Sequence, residues 1–176
     1  VINAAGVYSD KIANMVGLYD FNIIPRKGQY VLFEKGYGEL VNRVIFQAPT
    51  KKGKGVLVTS TYHGNLMIGP NAEEIGYKED VSTTREVLNY IVDTAKKSLE
   101  ELDMKKVITS FSGIRSTSNT RDFIIEESNV KGFINVAGID SPGLTSSPVI
   151  AIKVVEILMK GGLALNLKAN FNTYRK

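Results

Sequence analysis

The chain has no cysteine, no tryptophan, a single histidine and only five prolines in 176 residues. Without cysteine there is no disulfide, no thiolate metal site and no thiol nucleophile. One histidine among dispersed carboxylates gives no recognisable metal-ligand spacing, and no Ser-His-Asp arrangement can be argued from it. No apolar run is long enough to span a bilayer and the first residues do not read as a signal peptide, so the sequence points to a cytoplasmic protein, at most peripheral at a membrane. A strong charge of one sign is also missing, since 22 basic and 18 acidic residues leave a net +4. The densest basic run, Lys51-Lys52-Gly53-Lys54, lies between two apolar runs and reads as a solvated hairpin tip rather than a nucleic-acid surface. A polyanion-binding module is the alternative from another functional class, and it requires steeply salt-dependent binding of DNA or RNA.

At 43% hydrophobic content a chain of this length can bury a core, with one domain as the default expectation. Residues 28–34, 43–47, 55–62 and 65–69 are β-rich runs joined by glycine-containing turns, which predicts antiparallel pairing. The longest helix is expected over residues 83–103, with Thr83 and Glu86 as a capping box and Leu88, Ile91, Ala95, Leu99 and Leu102 along one face. Further strands are expected near 107–115, 122–126 and 133–137. A last helix should start with Ser147 as N-cap and Pro148 at its first position, and stop at Gly161-Gly162. The expected class is α+β: a mixed, mostly antiparallel sheet with the 83–103 helix packed on one face.

Two loops carry the functional signal. Gly138-Ile139-Asp140-Ser141-Pro142-Gly143-Leu144-Thr145 follows an apolar run and leads into a helix. Such a loop gathers bare backbone N–H groups at a positive helix end, where an electron-rich group binds. The chain opens with a similar joint: an apolar start, the small residues Ala4, Ala5 and Gly6, then Ser9-Asp10 as a helix start. Small residues there let a ligand lie against the backbone, although either joint alone is also what a tight strand-to-helix turn needs.

Taken in order, these segments resemble the carboxy-terminal portion of the D-amino-acid oxidase-like family of FAD-dependent oxidoreductases, which includes glycerol-3-phosphate dehydrogenases, L-2-hydroxyglutarate oxidases and glycine oxidases. Asn3-Ala4-Ala5-Gly6 with Ser9-Asp10-Lys11-Ile12-Ala13, Pro25-Arg26-Lys27-Gly28-Gln29-Tyr30, Ile68-Gly69-Pro70-Asn71-Ala72-Glu73, Phe111-Ser112-Gly113-Ile114-Arg115 and Asn135-Val136-Ala137-Gly138 carry the likeness. The strand, Gly-x-Gly-x-x-Gly turn and helix that open the family and seat the ADP half of FAD are missing; glycines 53, 55, 64 and 69 have the wrong spacing. The chain thus reads as a portion lacking that half, with residues 170–176 stopping where related chains run on, and it is expected not to retain FAD by itself. The resemblance implies that residues 1–17 and 116–176 are pieces of a split FAD-binding domain around a substrate-binding domain at 18–115.

The same resemblance implies oxidation of a small anionic CH–OH or CH–NH substrate, glycerol 3-phosphate first and L-2-hydroxyglutarate or an amino acid second, with oxygen, a quinone or an iron–sulfur partner as electron acceptor. Ala4, Ala5, Gly6, Gly138, Ile139, Pro142, Gly143, Leu144 and Thr145 would border the flavin. Arg115, whose planar guanidinium matches a carboxylate or phosphate, would anchor the substrate. Many family members have proline after this arginine, where this chain has Ser116. A surface arginine paired with Asp122 or Glu126 is the plainer alternative. His63 invites a general-base role, yet Tyr62-His63-Gly64-Asn65 reads first as a hairpin turn. Lys27 and Arg26 are further cationic candidates for the substrate cleft, and Arg121 is a more distant one.

Overall fold

The computed structural model describes residues 1–48, 55–166, 168–172 and 174. In chain order they form β1 (Ile2–Asn3), a 3-10 turn at Gly6–Tyr8, α1 (Ser9–Asn14), β2 (Ile23–Lys35), β3 (Leu57–Ser60), β4 (Asn65–Gly69), β5 (Glu73–Glu74), α2 (Arg85–Lys96), β6 (Val107–Ser118), β7 (Ile124–Glu127), β8 (Ile134–Ala137) and α3 (Gly143–Lys160). Among the described residues no helix is long and apolar enough to cross a membrane.

The elements belong to two sheets. In the larger one, β6 pairs antiparallel along one edge of β2, from Ile23↔Ser118 to Phe33↔Val107, while β4 and β5 follow one another along the other edge. The smaller sheet has the order β1-β8-β7, with β1 parallel and β7 antiparallel to β8. This is the expected α+β arrangement of mostly antiparallel pairing with a helix on one face.

Strand periodicity explains which way β2 faces. Its odd-numbered residues from Ile23 to Phe33 are buried, whereas Ile24, Arg26, Tyr30, Leu32 and Glu34 are only half-buried. The buried side of β2 meets α2: Val31 and Phe33 pack with Leu66, Ile68, Ile91, Val92 and Ala95. A second cluster of Ala13, Leu18, Phe21, Ile23, Phe133 and Ala137 joins α1 and β8 to the start of β2.

Several local expectations are corrected. Residues 43–47 form no strand; Ile45 alone bridges to Val58. The 83–103 helix is shorter, Arg85–Lys96, and its capping box does not form. Buried Gln29 takes that role from across the sheet, accepting from the Thr84 N–H at 2.8 Å, while the Thr83 hydroxyl lies 3.3 Å from that of Ser110. The longest helix is α3, which begins at Gly143 rather than after Ser147, so Pro148 sits inside it. Proline has no N–H for the carbonyl four residues back. The Ser147 hydroxyl donates to that Leu144 carbonyl at 2.8 Å instead, so the helix passes through Pro148 with the acceptor satisfied.

Candidate functional site

Parallel pairing of β1 and β8, Ile2↔Ile134 and Asn3↔Asn135, brings the ends of both strands to one edge. Ala4–Gly6 and Gly138–Pro142 therefore lie side by side, each running into a helix, at the carboxyl ends of parallel strands where α/β folds bind ligands. The joint is held from beneath. Asn3 Nδ2 donates to Ser9 O at 2.8 Å and to Asn135 Oδ1 at 2.9 Å, all within buried structure. Around Gly6 a side-chain carbon would meet nothing within 4 Å, so this corner is open.

Gly138 is required by its surroundings. Its φ is +67°, and a Cβ there would lie 2.8 Å from Ser118 Cβ and 3.0 Å from Asp122 O. The loop after it is strapped to β6: Ser116 Oγ donates to Ile139 O at 2.9 Å and Thr117 Oγ1 to Asp140 Oδ2 at 2.8 Å. Asp140 O accepts the Gly143 N–H and Pro142 O the Ser146 N–H. Among the described residues the N–H groups of Leu144 and Thr145 have no acceptor, as expected for the first turn of a helix. The Leu144 side chain is almost fully exposed. A rigid loop, an open small-residue corner and two free donors at the start of an 18-residue helix fit the electron-rich edge of a flavin. The described residues offer no glycine-rich turn for a dinucleotide's pyrophosphate.

One ladder position beyond lies the half-exposed face of β2 and β6. Its rows, read from the cross-strand pairs, are Ile24↔Thr117, Arg26↔Arg115, Gly28↔Gly113 and Tyr30↔Phe111. Thr117, bonded to Asp140, is thus about 7 Å along the strand from Arg115. Tyr30 and Phe111 stack with ring centroids 5.0 Å apart at the far side of the glycine row. Arg115 lies across Gly28 and donates from Nη2 to Asn71 O at 3.0 Å. A Cβ at residue 28 would sit 2.3 Å from that Nη2 and 2.8 Å from Pro70 Cβ, so the missing side chain makes the slot for the guanidinium. Neither Asp122 nor Glu126 pairs with Arg115 among the described residues.

The corner is tied to the larger sheet through charge. Buried Asp10, at the start of α1, accepts from Ile23 N at 2.9 Å, Lys11 N at 2.8 Å and Lys78 Nζ at 2.6 Å. Burial pushes its carboxyl up, but the Lys78 ammonium and the two N–H groups outweigh that and hold it below the usual range. Next to Lys78, the Tyr8 hydroxyl donates to Glu79 at 2.7 Å, and this hydrogen bond raises the phenol.

The other candidates are placed elsewhere. His63 is exposed in the turn between β3 and β4, edge-on to Tyr62. Asn65, two residues on, pairs with Lys35, nine residues along β2 from Arg26. At strand rise this is about 30 Å from Arg115, so the two do not share a site. Lys27 is corrected too: its side chain belongs to the opposite, buried face and pairs with Asp80 at 2.7 Å. Hydrogen bonds from Lys27 and Ser82 pull the Asp80 carboxyl down to about 2. Arg121, at φ +60°, is solvated and only 3.9 Å from Glu74. The basic run 51–54 lies outside the described residues. Gly28, Thr117 and Asp140 join the candidate site only through the structure; Tyr30-Val31-Leu32-Phe33 is apolar on both parities, so no alternation in the sequence separates Lys27 from Arg26 and Gly28.

The family described as FAD dependent oxidoreductase matches residues 1–157. The chain is 52% identical, over all its length and 37% of the relative's, to glycerol 3-phosphate dehydrogenase of Caloramator mitchellensis. It is 38% identical, over 98% of its length and 45% of the relative's, to glycerol 3-phosphate oxidase of Mycoplasma genitalium. The solved structure of dithionite-reduced L-α-glycerophosphate oxidase from Mycoplasma pneumoniae, with FAD bound, superposes with a TM-score of 0.87 at 34% identity, covering 97% of this chain and 44% of that one. The chain therefore spans less than half the length of these relatives.

Proposed function

Since the chain belongs to the family of FAD-dependent oxidoreductases, we propose that it forms the substrate face and the flavin-edge loop of an enzyme that oxidises a small anionic CH–OH substrate. Glycerol 3-phosphate is the first choice, with L-2-hydroxyglutarate or an amino acid on the same scaffold second. Bound FAD would supply hydride-accepting chemistry to this site, with oxygen, a quinone or an iron–sulfur partner as the acceptor that would take the electrons on. In this reading residues 1–17 and 116–176 border the cofactor and 18–115 the substrate.

The chain's own residues do three things. The free N–H groups of Leu144 and Thr145 would donate to the electron-rich edge of a bound flavin and would stabilise negative charge there without reorganising. Ala4, Ala5 and Gly6 would leave backbone and little side chain against the ring, which Gly138, Ile139, Pro142 and Gly143 would border. Arg115 holds the acidic group of the substrate, its fork fixed by Asn71 O and the Gly28 slot. The observation that carries the proposal is this half-buried guanidinium with no carboxylate partner among the described residues, one ladder row from the strap to the flavin-edge loop.

The test is Arg115→Lys in the flavin-loaded protein. Lysine keeps the charge and loses the two-pronged geometry, so KM for glycerol 3-phosphate should rise roughly ten- to hundred-fold, the loss of a charged hydrogen bond or two. An unchanged KM removes Arg115 from the site. By itself the 176-residue chain should purify colourless.

A further inference from the structure

The row that carries Arg115 also carries a second arginine. Arg26 and Arg115 are directly opposite on β2 and β6 and share the half-exposed face. Side-chain carbons so paired are about 5 Å apart, and like charges placed there destabilise a sheet. The two lysines of this part of the sheet that are buried or nearly so are paired: Lys27 with Asp80 at 2.7 Å and Lys78 with Asp10 at 2.6 Å. Arg26 has no such partner among the described residues. The carboxylate that follows it in the row, Glu74, is exposed and approaches Arg121 instead, at 3.9 Å. A broken local rule with no compensation among the described residues points to a functional position.

We propose that Arg26 is the second guanidinium of the anion site and makes it select a phosphate dianion over a carboxylate. This rests on the reading of Arg115 as the anchor. A carboxylate has two oxygens and one charge, which a single arginine fork satisfies. A phosphate monoester carries close to two charges at neutral pH and a third free oxygen. Arg115 has already committed one N–H to Asn71 O, so a dianion lying over the glycine row needs the second cation. The floor has room for it: a Cβ at Gly113 would meet nothing within 4 Å. Arg115 alone does not separate a phosphate from a carboxylate substrate, whereas the pair does.

The test follows the arginine Nε–Hε resonances of the chain by NMR while inorganic phosphate, and separately acetate, is added at pH 8 and constant ionic strength. Phosphate should shift both arginines. Arg26→Gln should weaken phosphate at least about ten-fold, the loss of one charge-assisted contact, and acetate much less. Arg26→Lys, which keeps the charge, should fall between, and Arg115→Gln should weaken both anions. A dispersed amide spectrum for each variant shows that the fold is kept. Phosphate affinity within two-fold of the parent in Arg26→Gln, but lost in Arg115→Gln, overturns the role of Arg26 and leaves the anchor standing. Phosphate binding unaffected by either variant, or absent in the parent, overturns both.

Discussion

Adding one methyl group at residue 28 should displace the proposed substrate anchor, Arg115, without substituting it. A Cβ on Gly28 would lie 2.3 Å from Arg115 Nη2, 2.8 Å from Pro70 Cβ and 3.2 Å from Asn71 O. The guanidinium is the flexible end of a side chain and can leave. The proline ring and the Asn71 carbonyl belong to the β4–β5 connection and move only with backbone. Overpacking of this kind costs about 1–3 kcal/mol, read as a lower urea midpoint at constant m-value. Once displaced, Arg115 loses Asn71 O and its aim, so KM for the anionic substrate should rise roughly ten- to hundred-fold with a smaller change in kcat. Gly113→Ala is the matched control in the same row: with nothing within 4 Å of the new carbon, it should leave the urea midpoint unchanged or raise it by up to about 1 kcal/mol of stability. If Gly28→Ala shows the stability and KM of the parent, Gly28 is not what places Arg115.

Four further outcomes follow from other contacts. Asp10→Asn removes the partner of a nearly buried Lys78, and should cost about 3 kcal/mol in urea unfolding, the lower end for such pairs. Because the Asp10 and Asp80 carboxyls lie below their unfolded values, their stabilisation is complete above about pH 4 and is lost as pH falls, toward about 2 for Asp80; the urea midpoint should drop over that window, and less steeply in Asp10→Asn. Ser147→Ala strands the Leu144 carbonyl and should cost about 0.5–1 kcal/mol, an effect that disappears in a Pro148→Ala background where the backbone N–H returns. His63→Asn should leave kcat and its pH profile intact, since the turn is about 30 Å of strand away from Arg115; a changed profile would bring the turn back into the site.

The sequence made some of this legible and left other parts hidden, for physical reasons. The β-rich run at 28–34 identified the carboxyl-terminal part of β2, and the stop at Gly161-Gly162 was readable because glycine is favoured past a helix end. The start of α3 was not, since Pro148 after Ser147 matches an N-terminal signal, and only the structure shows the serine replacing the missing backbone donor. Gln29 capping α2 from another strand likewise overrides the local Thr83–Glu86 pattern. Register is the larger gap. Arg26 and Arg115 each stood out as cations, but that they share one row depends on how β2 and β6 align, and Asp10 meets Lys78 across 68 positions. Lys27 beside Arg26 shows the limit most simply: one residue along a strand changes the face, and with it the partner.

The most direct measurement is anaerobic mixing of the flavin-loaded full-length protein with glycerol 3-phosphate, L-2-hydroxyglutarate and glycine in turn, following the flavin absorbance. Rapid bleaching by glycerol 3-phosphate, slowed at low substrate by Arg115→Lys, is the expected result. A yellow protein bleached by none of the three would reject the substrate class, and a full-length protein that binds no flavin would contradict the account at its centre.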